Sequence, residues 1–296
     1  MVINKIKSKS VLNKHKKRDS WFLEDYTLNP YLGCSFNCIY CYVNGSKYGQ
    51  NISQGISVKT NAADVLYRQL KNRARKKEYG IIALGSATDP YMHQEKDLKM
   101  TRELLKIIYR FHFPLNLFTK SDLILRDMDL LKKIDKSSKL PPDLESSLGR
   151  GTIVTFSFST MDLELARIFE PCAPSPIKRL ETMHKLKEEG FLVGACLMPL
   201  LPFISDTPDQ LETMISKVKD YGGDFILTGG MTLFGDKPND CRVKYYTALK
   251  KHFPEAFQKT KLIFDKSDYP PFDYQSKISK LASDICAKYN IRTSII

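Results

Sequence analysis

The sequence predicts an α/β fold: a partial (β/α)6 barrel of TIM type followed by a C-terminal extension. Three observations carry that prediction. Six short β-rich runs alternate with helical patterns, which is the signature of parallel βαβ units. The clearest helix is bracketed by a proline and a glycine, and polar residues recur where the apolar runs end. Six units fall short of the eight that close a TIM barrel. The barrel is therefore expected to stay open along one side, where substrate can enter.

Residues 1–25 read as a basic N-terminal extension, lysine-rich and without the apolar stretch of a secretory signal. The barrel is placed at residues 26–235, with strands at 26–30, 80–84, 115–119, 152–158, 192–197 and 224–228. Helices are expected at 62–77, 100–109, 123–134, 176–189 and 208–220. The fourth of these has Pro176 at its start, apolar Ile177, Leu180, Met183 and Leu186 at helical spacing, and Gly190 in the C′ position. Residues 135–150, with Pro141-Pro142 and several serines, read as a surface loop on the face away from the chemistry. Residues 236–296 form an extension that packs on or caps the barrel and ends in a helix near 275–289. The charge runs at 73–77 and 132–139 lie at helix ends, where cations suit the macrodipole.

The 296 residues are compatible with one large core, since such barrels commonly reach about 250 residues. The 46 Lys and Arg against 33 Asp and Glu leave a formal charge of +13, which favours acidic partners and opposes self-association. Nucleic acid is one such partner, although no aromatic-interleaved recognition module is visible. Seven cysteines in a long chain, three of them tightly clustered, argue against a disulfide framework and for a reducing cytoplasm. The longest uncharged stretch, residues 191–205, contains two prolines and is shorter than the ~20 residues of a membrane span, so no membrane association is expected.

Chemistry concentrates after the first strand, where Cys34, Cys38 and Cys41 fall within eight residues. Thiolates at this spacing select zinc, copper(I) or iron–sulfur clusters. Structural zinc and ordinary cubane clusters both take four protein ligands, and no fourth thiolate or histidine is nearby. A cubane held by this triad would keep one iron open. The carboxyl ends of the other strands, where parallel α/β folds gather their sites, carry Ser86 to Asp89, Thr119-Lys120-Ser121, Ser157 with Ser159, and Gly229-Gly230. Read singly, each is a cap or turn. Together they form a rim that offers a lysine and hydroxyls to a charged ligand.

The Cys-x3-Cys-x2-Cys spacing with Tyr40 before the third cysteine, set in a six-unit β/α pattern, resembles the radical S-adenosylmethionine (SAM) superfamily. Within residues 26–235, the runs 29–42, 86–91, 119–121, 156–159 and 170–179 are similar to the branch containing spore photoproduct lyase. That resemblance implies a [4Fe–4S] cluster on Cys34, Cys38 and Cys41 whose fourth iron binds SAM, and reductive cleavage of SAM to a 5′-deoxyadenosyl radical that abstracts hydrogen from substrate. It also implies a reductant such as a ferredoxin or flavodoxin. Lys120 and Ser157 would hold the SAM carboxylate, and Tyr40 would lie by the adenine. Asp89 would bind the cofactor hydroxyls or brace its loop, and Arg179 would contact the cofactor or hold Glu170. Ser86 is counted with the cofactor-binding residues, yet it stands where the lyase carries its hydrogen-donating cysteine. Cys172, after the fourth strand, is the replacement candidate as catalytic donor.

The leading reading is a radical SAM enzyme with nucleic acid as substrate. A second has the same chemistry acting on a peptide or small metabolite. A third, of another class, is a non-enzymatic zinc or iron–sulfur protein, with Cys172 or a histidine such as His93 or His112 as fourth ligand.

Overall fold

The computed structural model describes residues 3–49 and 55–296. The first two residues of the basic extension lie outside that range. All six expected strands are present, at Tyr26–Leu28, Ile82–Leu84, Leu115–Thr119, Thr152–Phe158, Leu192–Leu197 and Phe225–Thr228. They pair in parallel and in sequence order, and the sixth does not return to the first. This is the open, sequentially wound sheet of a partial barrel.

Both margins of the sheet are covered. Leu12–Lys14 pairs antiparallel with the first strand, and the Ile226 amide donates to the Arg292 carbonyl at 2.8 Å beside the sixth. A smaller sheet joins Ile3–Ile6, Ile56–Lys59 and Tyr31–Leu32. The first barrel strand ends at Leu28 rather than residue 30 because Pro30 has no N–H for the ladder.

Alternation along the strands separates two apolar layers. Leu28, Ile82, Leu84, Leu115, Leu117, Val154, Phe156, Val193 and Leu197 face the surrounding helices in the main core. The opposite side chains, Ile81, Ile153, Leu192, Cys196, Phe225 and Leu227, face the lumen and pack with Leu23. Phe22 enters beside them, edge-on to Phe118 at 5.1 Å, while its carbonyl accepts from Asn116 Nδ2 at 2.9 Å. The segment before the first strand thus stoppers the barrel from below. Leu144 and Leu148 join the same layer, so the 135–150 segment lies at the strands' starting ends. It is not all loop, since the preceding helix runs to Ser137 and Glu145–Leu148 is a helical turn.

The helices Ala62–Arg75, Met100–Arg110, Pro176–Glu188 and Pro208–Asp220 match expectation. The expected 123–134 helix starts as a 3-10 turn, Asp122–Asp127, and continues as Met128–Ser137. In Pro176–Glu188, Ser175 caps the N-terminus by accepting the Lys178 amide at 3.3 Å, and Gly190 takes φ +83°, a left-handed conformation that glycine adopts at no Cβ cost. Leu180, Met183 and Leu186 are buried, whereas Ile177 in the first turn is 40% exposed. Beyond the barrel, Cys241–His252 and Pro254–Ile263 build a second core with Tyr40 and Phe169. The final helix, Phe272–Lys288, lies on Pro208–Asp220, with Lys288 and Tyr289 both bonded to Glu212. No described helix is long and apolar enough to cross a membrane.

Candidate active site

The cysteine loop leaves the first strand at the carboxyl end of the sheet. Its base is pinned by Tyr31, whose hydroxyl bonds the buried Glu95 carboxylate. Phe36 is buried, edge-on to His93 at 5.4 Å. Cys34, Cys38 and Cys41 are half-buried and free of disulfides.

Backbone amides approach two of the thiols, those of Phe36 and Asp89 at Cys34 and those of Val43 and Asn44 at Cys41. Burial, with the Asp89 carboxylate nearby, pushes the Cys34 thiol up to about 12. Burial likewise raises Cys38 and Cys41, against the opposing pull of the Lys120 ammonium. These groups stay protonated until a metal displaces the proton. Among the described residues no group of three or more His, Cys, Asp or Glu has the spacing of a single-ion shell. Three soft thiols, two of them with amide donors of their own, fit the ligand set of an iron–sulfur cluster, in which each cysteine takes a different iron.

The second strand's loop is fastened across the first. Asn29 Oδ1 accepts the amides of Ala87 at 3.0 Å and Thr88 at 3.3 Å, and its Nδ2 lies 3.3 Å from Ser86 Oγ. The Tyr42 hydroxyl donates to the Ser86 carbonyl at 2.9 Å. Asp89 accepts from the Tyr91 amide at 2.8 Å, the Thr119 hydroxyl at 2.9 Å and the Lys120 amide at 2.7 Å. Both of its oxygens are therefore engaged in bracing the loop.

Lys120 reaches the same space from the end of the third strand, 15% exposed and 3.9 Å from Glu170 Oε1. Burial lowers its pKa, but the site's anionic partners, chief among the ionised ones the Glu170 carboxylate, outweigh that and raise it, so it carries a full positive charge. Ser157 stands in register with Cys196 on the next strand; Cys196 is core, as its apolar strand predicts. Arg179 is fully buried. Its guanidinium bonds the Glu170 carboxylate, the Pro174 carbonyl at 2.8 Å and the Ser157 carbonyl at 2.9 Å. Of the two roles the sequence left open for Arg179, the geometry displays the hold on Glu170. Cys172 is exposed; its amide donates to the Phe36 carbonyl at 3.3 Å and its carbonyl accepts from His93 Nε2 at 2.9 Å.

Sequence reasoning named Glu170 only as a partner of Arg179 and passed over Asn29 and Tyr42 as site residues. Glu170 is 2% exposed and collects Arg179, Tyr40, Ser159 and Lys120. Its position just after the fourth unit's polar run was the available signal.

The chain as a whole is similar to known proteins. Residues 28–218 match the model of the Radical SAM superfamily. An uncharacterized protein of Methanocaldococcus jannaschii is 30% identical over 263 residues, spanning 86% of this chain and 85% of its own. An uncharacterized protein of Mycobacterium tuberculosis is 26% identical over 272 residues, 90% of this chain and 75% of its own. Among solved structures, a tyrosine-to-phenylalanine variant of spore photoproduct lyase superposes with a TM-score of 0.65 at 14% identity, covering 97% of this chain and 78% of that one. That lyase complexed with dinucleoside spore photoproduct gives 0.62 at 14% identity, covering 97% and 79%. The matched span runs from the end of the first barrel strand through the cysteine triad and the next four strands, and the chain is an enzyme of the radical SAM superfamily, a family that implies a [4Fe–4S] cluster, SAM and a source of electrons.

Proposed function

We propose that Cys34, Cys38 and Cys41 hold the cluster, that SAM binds the iron they leave open, and that the enzyme abstracts hydrogen from a nucleic-acid substrate. One observation carries the reading of the site: three free, half-buried thiols sit on one loop at the strands' carboxyl ends, facing a charged lysine. When bound, the cluster supplies one electron that cleaves a carbon–sulfur bond of SAM, giving methionine and a 5′-deoxyadenosyl radical.

The residues of the chain bind and orient. Lys120 offers its ammonium to the SAM carboxylate, a charge-assisted contact, and Ser157 adds a hydroxyl from the neighbouring strand. Tyr40 packs under the loop. Asp89 sets the loop that carries Ser86, and Arg179 keeps Glu170 ionised. Cys172, exposed beside the cysteine loop, is the candidate hydrogen-atom donor in place of Ser86, because an O–H bond gives up hydrogen far less readily than a thiol.

Nucleic acid is supported by the net charge of +13 and by the helices Cys241–His252 and Pro254–Ile263, which carry six Lys or Arg against the single Glu255. The first of these adjoins the cysteine loop, where the Cys241 amide donates to the Asn44 carbonyl at 3.2 Å. The shared fold with a lyase solved with a dinucleoside points the same way.

The test is anaerobic cluster reconstitution, addition of reductant and SAM, and detection of 5′-deoxyadenosine, which Cys38→Ala should abolish. Deuterium transfer from labelled oligonucleotides into that nucleoside identifies the substrate. Oligonucleotide affinity should fall log-linearly with salt; a salt-independent affinity would point instead to a peptide or small metabolite. A colourless protein holding stoichiometric zinc after anaerobic purification would overturn the enzyme reading of the triad.

A further inference from the structure

We propose that Glu170 is a positioning residue that ties the cysteine loop to the barrel wall and aims Lys120 at the mouth; this rests on the reading of Cys34, Cys38 and Cys41 as cluster ligands.

Glu170 follows the helix Leu163–Phe169 and is almost completely enclosed. Its two oxygens face different ways. Oε2 is taken by Arg179, whose remaining bonds to the Pro174 and Ser157 carbonyls fix the cation in place. Oε1 faces the site, accepts from the Tyr40 hydroxyl and, at 3.0 Å, from Ser159 Oγ, and lies 3.9 Å from Lys120 Nζ. Burial pushes this carboxyl up, yet Arg179 and Lys120 together hold it below the ordinary carboxylate range.

Tyr40 stands between two of the cysteines in sequence. Its hydroxyl bond is one of three ties between residues 36–40 and residues 169–172; the others are the Ile39 amide to the Phe169 carbonyl at 3.0 Å and the Cys172 amide to the Phe36 carbonyl at 3.3 Å. Besides the amides that approach the Cys34 and Cys41 thiols, the loop's own backbone-to-backbone bonds among the described residues are turn bonds, Cys41 N–H to the Cys38 carbonyl at 3.1 Å and Asn44 N–H to the Cys41 carbonyl at 3.0 Å. A loop that must present three thiols to three irons gains its definition from outside.

Stability alone does not explain the arrangement. A buried Arg–Glu pair does little for net stability compared with apolar residues of similar volume, so the group's use lies in where it holds its neighbours. Arg179 satisfies one oxygen, and the other is left to gather donors from the cysteine loop and from the third and fourth strand ends.

The experiment uses reduced apo-protein under anaerobic conditions. Wild type, Tyr40→Phe and Glu170→Gln are treated with iodoacetamide, and alkylation of Cys38 and Cys41 is followed by peptide mass spectrometry. Loss of the Tyr40 tie should accelerate both thiols by about tenfold, the factor that one net hydrogen bond supplies. Circular dichroism of Tyr40→Phe guards against the case in which Glu170→Gln does not fold. In reconstituted Glu170→Gln, the KM for SAM should rise more than kcat falls, since Lys120 loses its guide. Alkylation of Tyr40→Phe within about twofold of wild type, a difference too small for one net hydrogen bond, overturns the proposal alone if the wild type takes up iron normally. Wild-type protein that takes up no iron overturns the reading of the cysteines and the proposal with it.

Discussion

Asp89 and Lys120 are joined through the backbone: the Lys120 amide donates to Asp89 Oδ2 at 2.7 Å while the lysine's own ammonium points toward Glu170. The carboxylate thereby fixes the base of the side chain expected to meet SAM, and the Thr119 hydroxyl on Oδ1 locks the same turn. Asp89→Asn removes the charge and sets an N–H against the Lys120 amide. It should cost roughly 1–3 kcal/mol, read as a lower urea midpoint at unchanged m-value, together with weaker SAM binding.

Arg126 is the cation under the other side of the loop. Its Nη2 lies 2.7 Å from Glu95 and 2.7 Å from Asp127, both 0% exposed. Asp127 also has Arg102 at 2.7 Å, but no other cation among the described residues pairs with Glu95, which in turn holds Tyr31. Arg126→Met should therefore cost about 3–5 kcal/mol by stranding a buried charge. Arg167→Ala, which breaks an exposed pair with Glu164, should cost under ~1 kcal/mol. Chemical denaturation of the two variants decides it.

Gly85 opens the Ser86 loop at φ +98°, and a Cβ there would sit 2.6 Å from both the Phe118 carbonyl oxygen and Pro90 Cδ. Neither neighbour is a flexible side-chain tip. Gly85→Ala should lose roughly 2–4 kcal/mol from backbone strain and overpacking combined. Thermal unfolding would show this as a lowered midpoint, with reduced SAM affinity because Ser86 and Asp89 ride on the same turn.

Glu24 gives the protein an unusual pH response. Burial, with Asp19 adding its charge, pushes its carboxyl up to about 7 from 4.5. The folded state then binds more protons than the unfolded state between those values, so stability falls as pH rises through that window. The loss approaches roughly 3 kcal/mol. Glu24→Gln should flatten the slope and be the more stable protein above pH ~7, as measured by denaturant titrations at a series of pH values.

The barrel was legible because its strands are apolar runs bounded by turn residues, and the six fall within two residues of their expected ends. Strands such as Tyr31–Leu32 and Leu12–Lys14 escaped because two or three residues carry no period, and their partners lie elsewhere in the chain. Cys241–His252 escaped for a different reason: it buries Cys241, Tyr245 and Leu249 but spreads lysines and tyrosines around the remaining faces, leaving no clean stripe to read. The cysteines announced themselves by spacing. Tyr40 and Glu170, 130 residues apart, had no local pattern to link them, since their bond exists only once the fourth unit is wound onto the first.

The covered margins of the sheet bear on how the molecule is made. Residues 12–14 seal one rim, while the backbone at Arg292 seals the other. A polypeptide emerging from the ribosome therefore carries the row of unpaired amides and carbonyls on its sixth strand until the stretch around Arg292 arrives, and during that interval the strand is a template for a neighbouring chain. The late arrival of that stretch makes the sixth strand the edge where mispairing between nascent chains is to be expected.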